Sequence, residues 1–188
     1  MTEAAPTLQP ALAPAQLKAQ LWADASLQVY AVLMGARIPD LPARLAGADV
    51  VDHDCLLPGA LEPEVQARAP YLVQLKRDSE FTDWLLFQAS PGLGDWGLLV
   101  LSPAKRLVLR GHLRGLLQAR LPEGQRIELD WMDAPILLAL LPLFDAAGLA
   151  AFMGPVQSLV LAGEQQWTMV DYALGQLQWR SVPLAKAA

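Results

Sequence analysis

Hydrophobic and polar positions follow two periods along this chain, one helical and one extended, and the two alternate. Phe81, Trp84, Leu85 and Gln88 recur at i, i+3, i+4, i+7 with three of the four apolar, which predicts an amphipathic helix. Ser90-Pro91-Gly92 predicts its end, since proline removes a backbone donor and glycine admits positive φ. Residues 96–101 then form a short uncharged apolar run bounded by turn residues, the pattern of a strand buried on both faces. Ser102-Pro103 reads as an N-cap followed by proline at the first helical position, opening a long helix over residues 104–120. The same alternation runs upstream: helix 16–25, strand 27–34 closed by Gly35, helix 39–46, strand 50–55, helix 63–68 and strand 71–75.

Downstream, residues 126–131 predict another strand, and Asp133 N-caps a helix that runs through Leu141 and ends at Pro142. Asp145 caps a second helix that stops at Gly154-Pro155. Residues 156–162 and 166–172, joined across Gly163-Glu164, predict an antiparallel hairpin, with residues 176–180 as a further strand. Alternating strands and helices imply an α/β fold, a largely parallel sheet with helices packed on it plus this C-terminal hairpin. The expected organisation is a mobile alanine- and proline-rich segment 1–14, an α/β domain over 15–155, antiparallel strands over 156–181 packed on the same domain, and a tail 182–188.

Composition narrows the classes. The chain has 188 residues, 54% hydrophobic and 18% charged, enough for one domain with a real core and a more apolar surface than usual. A net charge of -5 argues against nucleic-acid binding, which needs a basic face. One cysteine excludes an internal disulfide and suits a reducing compartment, and the first residues lack the basic start of a secretory signal, so the expectation is a cytoplasmic protein. Residues 134–153 approach the length of a membrane span, but Pro135, Pro142 and Asp145 interrupt them; two short buried helices fit better.

Several residues invite chemistry. Gly92, Gly94 and Gly97 spell the dinucleotide fingerprint G-x-G-x-x-G, yet that chemistry needs strand, glycines, then helix, and here the glycines follow a helix and precede a strand. His53 and Cys55 lie two apart on a strand, beside Asp52 and Asp54, where either a thiolate–imidazole pair or a metal site could form. The plainer reading is a half-buried cysteine at a strand end, since His112 is the one other histidine and zinc needs at least three protein ligands. Arg106, Arg110 and Arg114 make one basic stripe on the long helix, with Lys105 and His112 beside it and Leu109, Leu113, Leu116 and Leu117 opposite. Such a stripe is either a solvated face or a dock for an acidic partner. Asp130, Trp131 and Asp133 sit where strand gives way to helix, a place where α/β folds build sites, though Asp133 already has a capping role. G-x-S-x-G, P-loop and H-E-x-x-H patterns are absent, so no cofactor, metal or catalytic residue is expected.

An ordered set of segments resembles a known family: YAVLMGA (30–36), APYLVQL (69–75), Trp84-Leu85, WGLLVLSP (96–103), HLRGLL (112–117), LDWMD (129–133), LLALLP (137–142) and FMGPV (152–156). They are similar to the adaptor and chaperone domain of bacterial type VI secretion, a family first recorded as a domain of unknown function. The resemblance implies a non-enzymatic protein that holds a secreted toxin effector and helps load it onto a VgrG-type spike, with no nucleic-acid or membrane partner. Two positions depart from the family pattern: Met34 stands where relatives often carry aspartate, and Asp133-Ala134-Pro135-Ile136 stands where they tend to show Asp-Pro-Arg. Only some thirty residues follow Pro155, shorter than the C-terminal lobe of many relatives, which suggests a minimal member. Tryptophan and arginine are enriched at interface hot spots, so Trp96, Arg110, Arg114 and Trp131 are the candidate partner-binding residues, core burial explaining the two tryptophans equally well. The rival reading is a small cytoplasmic thiol-dependent hydrolase using Cys55 and His53.

Overall fold

The computed structural model describes residues 12–93, 95–121, 123–163 and 166–184. The expected segment 1–14 and tail 182–188 therefore lie mostly outside the described residues, as do Gly94 of the glycine pattern and Glu164 of the hairpin turn. In order, the chain forms α1 (Pro14–Leu21), β1 (Gln28–Met34), α2 (Leu41–Ala46), β2 (Asp52–Cys55), α3 (Pro63–Arg68), β3 (Pro70–Gln74) and α4 (Glu80–Asp83). A π-helical stretch (Trp84–Ala89) joins α4 to α5 (Ser90–Leu93), and β4 (Gly97–Ser102), α6 (Arg106–Gly115), β5 (Gln118–Arg120) and β6 (Arg126–Glu128) follow. The last part holds α7 (Ala134–Leu140), a 3-10 turn (Leu141–Leu143), α8 (Ala146–Met153), β7 (Ser158–Ala162), β8 (Gln166–Ala173) and β9 (Gln176–Pro183).

Among the described residues the main sheet has seven strands in the order β2-β3-β1-β4-β7-β8-β9, and every adjacent pair is antiparallel. The expectation of a largely parallel sheet is thus overturned. Strand and helix do alternate along the chain, but α2 and α3 have only six residues each, roughly 9 Å of helix. A parallel crossover has to carry the chain back along the whole strand, normally through a longer helix. Instead β3 turns back between β1 and β2 and pairs with both. The uncharged runs that suggested parallel strands report burial on both faces, which this sheet also has.

β1 shows how. Val29, Ala31 and Leu33 point to one face and Tyr30 and Val32 to the other, all buried, because successive strand residues leave opposite sides. The first face packs Leu17 and Leu21 of α1, Leu41 and Leu45 of α2, and Phe81, Leu85 and Leu86. The second packs Leu109 and Leu113 of α6, Leu137 of α7, and Leu149, Phe152 and Met153 of α8. Helices therefore cover both faces of an antiparallel sheet.

Local signals were partly overridden. Ser79 Oγ accepts from the Thr82 amide and starts α4, but the helix does not end at Ser90-Pro91-Gly92; the π-helical turn lets it run on to Leu93. A wider turn relaxes the i to i-4 pairing that proline cannot complete. Ser102 does not cap a helix either: its hydroxyl donates to the Pro155 carbonyl at 2.6 Å and accepts from the Ala104 amide, and α6 begins only at Arg106. The expected helix 104–120 gives way at Gly115, and Gln118–Arg120 instead pair with Arg126–Glu128 as a separate two-stranded ribbon. Asp133 and Asp145 cap α7 and α8 as the sequence predicts, accepting from the amides of Ile136 and Gly148. No helix among the described residues is long and apolar enough to cross a membrane.

Candidate functional site

The arginine stripe of α6 is drawn onto the edge strand, with the Arg106 and Arg110 side chains 19% and 29% exposed. β2 is the edge strand, and its residues alternate: Asp52 and Asp54 face α6, while Cys55 packs with the opposite core. Arg106 pairs with both Asp52 and Asp54, and Arg110 Nη1 donates to Asp54 Oδ1 at 2.9 Å. Arg114 reaches backbone instead, its Nη2 donating to the carbonyls of Cys55 at 2.9 Å and Leu57 at 3.2 Å. The stripe thus fastens α6 along the edge of the sheet, turn by turn. His112, beside it, makes a 2.8 Å contact from Nε2 to the Phe152 carbonyl and ties α6 to α8.

Trp96 and Trp131 are in the core, with 0% and 1% exposure. Trp131 stacks edge-on against Phe152, ring centroids 6.1 Å apart. Of the four candidate partner residues, Arg110 stays partly exposed beside Asp54 and Arg114 lines a cleft.

This cleft of about 720 Å³ lies between α3 and the loop after β2 on one side, and the end of α6 with the β5–β6 ribbon on the other. Its walls are chiefly apolar: Leu56, Leu57, Val65, Leu117, Leu129 and Met132. Val65, the one large apolar residue of α3, is 47% exposed, an apolar group left facing water at the cleft mouth. Arg68 stands on the α3 wall and Glu128 and Asp130 on the other, all three exposed, with no ion pair to one another among the described residues. Arg114 lies at the back, its Nε buried and without a hydrogen-bond partner among the described residues. A smaller cleft of about 380 Å³ continues past Arg68, Pro70, Asp130 and Met132 to Met34 and Arg37. The junction is held tight by Gly35, whose amide donates to the Ala69 carbonyl and where a Cβ would lie 2.5 Å from the Ala67 carbonyl oxygen.

The Cys55 thiol lies near the same wall but is poorly placed for nucleophilic work. Burial pushes its pKa up, only partly offset by the Leu57 backbone hydrogen bond and the Arg114 charge, so at neutral pH it stays a thiol. Burial raises the neighbouring Tyr71 phenol as well, with Cys55 adding to the rise, and its hydroxyl donates to the Gln66 carbonyl at 3.2 Å. No group of three or more histidine, cysteine or acidic side chains able to hold a metal occurs among the described residues. Gly97, the last glycine of the apparent dinucleotide pattern, serves packing: its φ is 137° and a Cβ there would lie 1.9 Å from the Val32 carbonyl oxygen. Cleft residues on α3 and the ribbon were missed by sequence reasoning; the exposed valine in Pro63–Arg68 was the available signal.

Fold and cleft together define an antiparallel α/β domain with an open, mostly apolar groove edged by charges of both signs. Residues 29–151, more than half of the chain, match the family described as a domain of unknown function (DUF4123), and the protein belongs to that family. No curated protein and no solved structure matched the chain.

Proposed function

We propose that this protein is a non-enzymatic adaptor and chaperone of bacterial type VI secretion, which binds a secreted toxin effector and helps load it onto a VgrG-type spike. The observation that carries the reading is the apolar cleft, whose lining residues all fall inside the family-matched region. A groove of this size with exposed Val65, Arg68, Glu128 and Asp130 suits a segment of a protein partner: apolar anchors in the floor and charges of both signs at the rim. The ordered segments from YAVLMGA to FMGPV supply the link to effector loading, and Met34 makes the smaller cleft more apolar than the aspartate common in relatives would. Cytoplasmic residence follows from this reading, since effector and spike meet before export.

Co-expression with the products of neighbouring genes, followed by affinity capture and light scattering, tests it. Capture of a toxin-like protein or a spike protein in a defined stoichiometry is the expected result. A folded, monodisperse protein that captures neither overturns the adaptor assignment.

A further inference from the structure

The three arginines of α6 are matched along the edge strand by two acids. Four residues of helix rise about 6 Å and two residues of strand about 6.7 Å, so a stripe at i, i+4, i+8 keeps step with every second residue of an adjacent strand. On the face of β2 turned to α6, those residues are Asp52, Asp54 and then Leu56. Arg106 pairs with Asp52 and Asp54, and Arg110 with Asp54. Arg114 arrives at the third step, where its Nη2 donates to the carbonyls on either side of Leu56, those of Cys55 and Leu57. Leu56 itself is fully buried in one cluster with Leu109 and Leu113, so the strand supplies no carboxylate at this level.

A guanidinium carries a full charge and several N–H donors, and backbone carbonyls meet only part of that demand. The Nε of Arg114 is buried without a hydrogen-bond partner, and no carboxylate among the described residues forms an ion pair with the side chain. An orphaned donor and an uncompensated charge beside an apolar wall are both costly. The cleft opens at this same point: Arg114 lines it together with Leu56, Leu57 and Leu117. Glu128 and Asp130 stand on the ribbon wall of the cleft and do not reach Arg114.

We propose that the cleft selects a segment of a protein chain that presents an acidic side chain to Arg114 from between apolar ones. The proposal rests on reading the cleft as the seat of a partner segment, and it adds the chemistry that the seat recognises. The partner's carboxylate takes the place that a third acid on β2 would have filled, completing the ladder begun by Asp52 and Asp54. Flanking apolar side chains on Leu57, Leu117 and Leu129 keep water from the pair, where a charge-assisted hydrogen bond is strongest. An acid within a chain fits this place better than a terminal carboxylate or a free fatty acid, because the groove is not closed. The smaller cleft shares Arg68, Pro70, Asp130 and Met132 with it, so a chain can run on past the site. Glu128 and Asp130 set which way the segment faces: they repel its acid from the ribbon wall and favour a basic or polar residue there.

The test uses the full chain and a library of peptides displayed on phage, selected on the wild type. Binders that are lost on Val65→Glu occupy the cleft, and they should share an acidic residue flanked by apolar ones. In a soluble copy of the strongest, replacing that acid by its amide should weaken binding to the wild type about tenfold or more. Against Arg114→Gln, shown to be folded by circular dichroism, acid and amide peptides should bind alike, since the group that tells them apart is gone. Arg114→Lys keeps the charge but not the planar fork, and should retain only part of the preference; it decides the matter if Arg114→Gln does not fold. An Arg114 that merely braces α6 would weaken both peptides equally and leave the preference for the acid intact, which overturns the proposal. Cleft-dependent binders without an acid overturn it too, while leaving the cleft as the partner's seat. A selection with no Val65-dependent binder overturns the proposal and the peptide seat together, and the adaptor reading then stands or falls on the capture experiment alone.

Discussion

Arg110 Nη1 lies 2.9 Å from Asp54 Oδ1, and Arg106 pairs with the same carboxylate, so one aspartate on the edge strand receives two successive turns of α6. The Asp54 and Arg106 side chains are 21% and 19% exposed, which shields the cluster from water and salt more than a surface pair. Asp54→Ala takes away the Arg110 ion-pair partner and leaves Arg106 with Asp52 alone, and should lower unfolding stability by about 1–3 kcal/mol in urea titrations. In a double-mutant cycle with Arg110→Ala the coupling should be about 0.5–2 kcal/mol. Strict additivity of the two substitutions would show that the pair is geometrically present but energetically idle.

Gly97→Ala should be among the most damaging single changes in the chain. Its φ of 137° excludes ordinary side chains, and the added Cβ meets the Val32 carbonyl oxygen on the neighbouring strand at 1.9 Å. β1 and β4 would have to separate at the centre of the sheet, at a cost of about 3 kcal/mol or more. A thermal melt checks this: the variant should unfold many degrees below wild type, or fail to accumulate folded, and a near-unchanged midpoint would contradict the packing described for these strands.

Cys55 supplies a pH dependence whose sign is fixed by burial. Its folded-state pKa is raised above the ordinary cysteine value of about 8.5, so the protonated thiol is the form the fold prefers. The associated stability is complete below the unfolded-state pKa and is lost as pH climbs through the raised folded-state value. Labelling by a thiol reagent at pH 7 should be slower than for free cysteine and should accelerate in alkaline solution. Fast labelling at pH 7 would mark an activated thiolate and revive the hydrolase reading.

Element positions were largely legible in the sequence, because burial on one or two faces writes its period into the chain: β1, α3 and β4 fall within a residue or two of their expected bounds. Strand direction was not, since the apolar run 97–101 looks the same whether its neighbours run parallel or antiparallel. Only the shortness of α2 and α3 hinted that the chain turns back. The arginine stripe was legible as a stripe, but its partners Asp52 and Asp54 lie more than fifty residues away, joined to it only by the register of β2 on β3. Trp96 and Trp131 illustrate the limit for site prediction, for interface hot spots and cores draw on the same residue type. The cleft depends on Val65 of α3 converging with Leu117 and Leu129, which flank the β5–β6 ribbon, and no local pattern records that.

Val65 offers the cleanest test of that cleft. Being 47% exposed, it can accept a charge with little effect on the fold, about 0.5 kcal/mol or less, so loss of function in Val65→Glu is not a folding defect. If a partner buries an apolar anchor against it, a carboxylate there meets a desolvated, mostly apolar wall, and affinity should fall at least tenfold, about 1.4 kcal/mol or more. Leu143→Glu serves as the control, since Leu143 is 79% exposed and does not line the cleft. Titration of captured effector against both variants, at low and high salt, should separate them: Val65→Glu weak at both, Leu143→Glu like wild type. Equal binding by the two would move the partner surface off the cleft, while Arg68→Ala should weaken binding mainly at low salt, where its exposed charge is least screened.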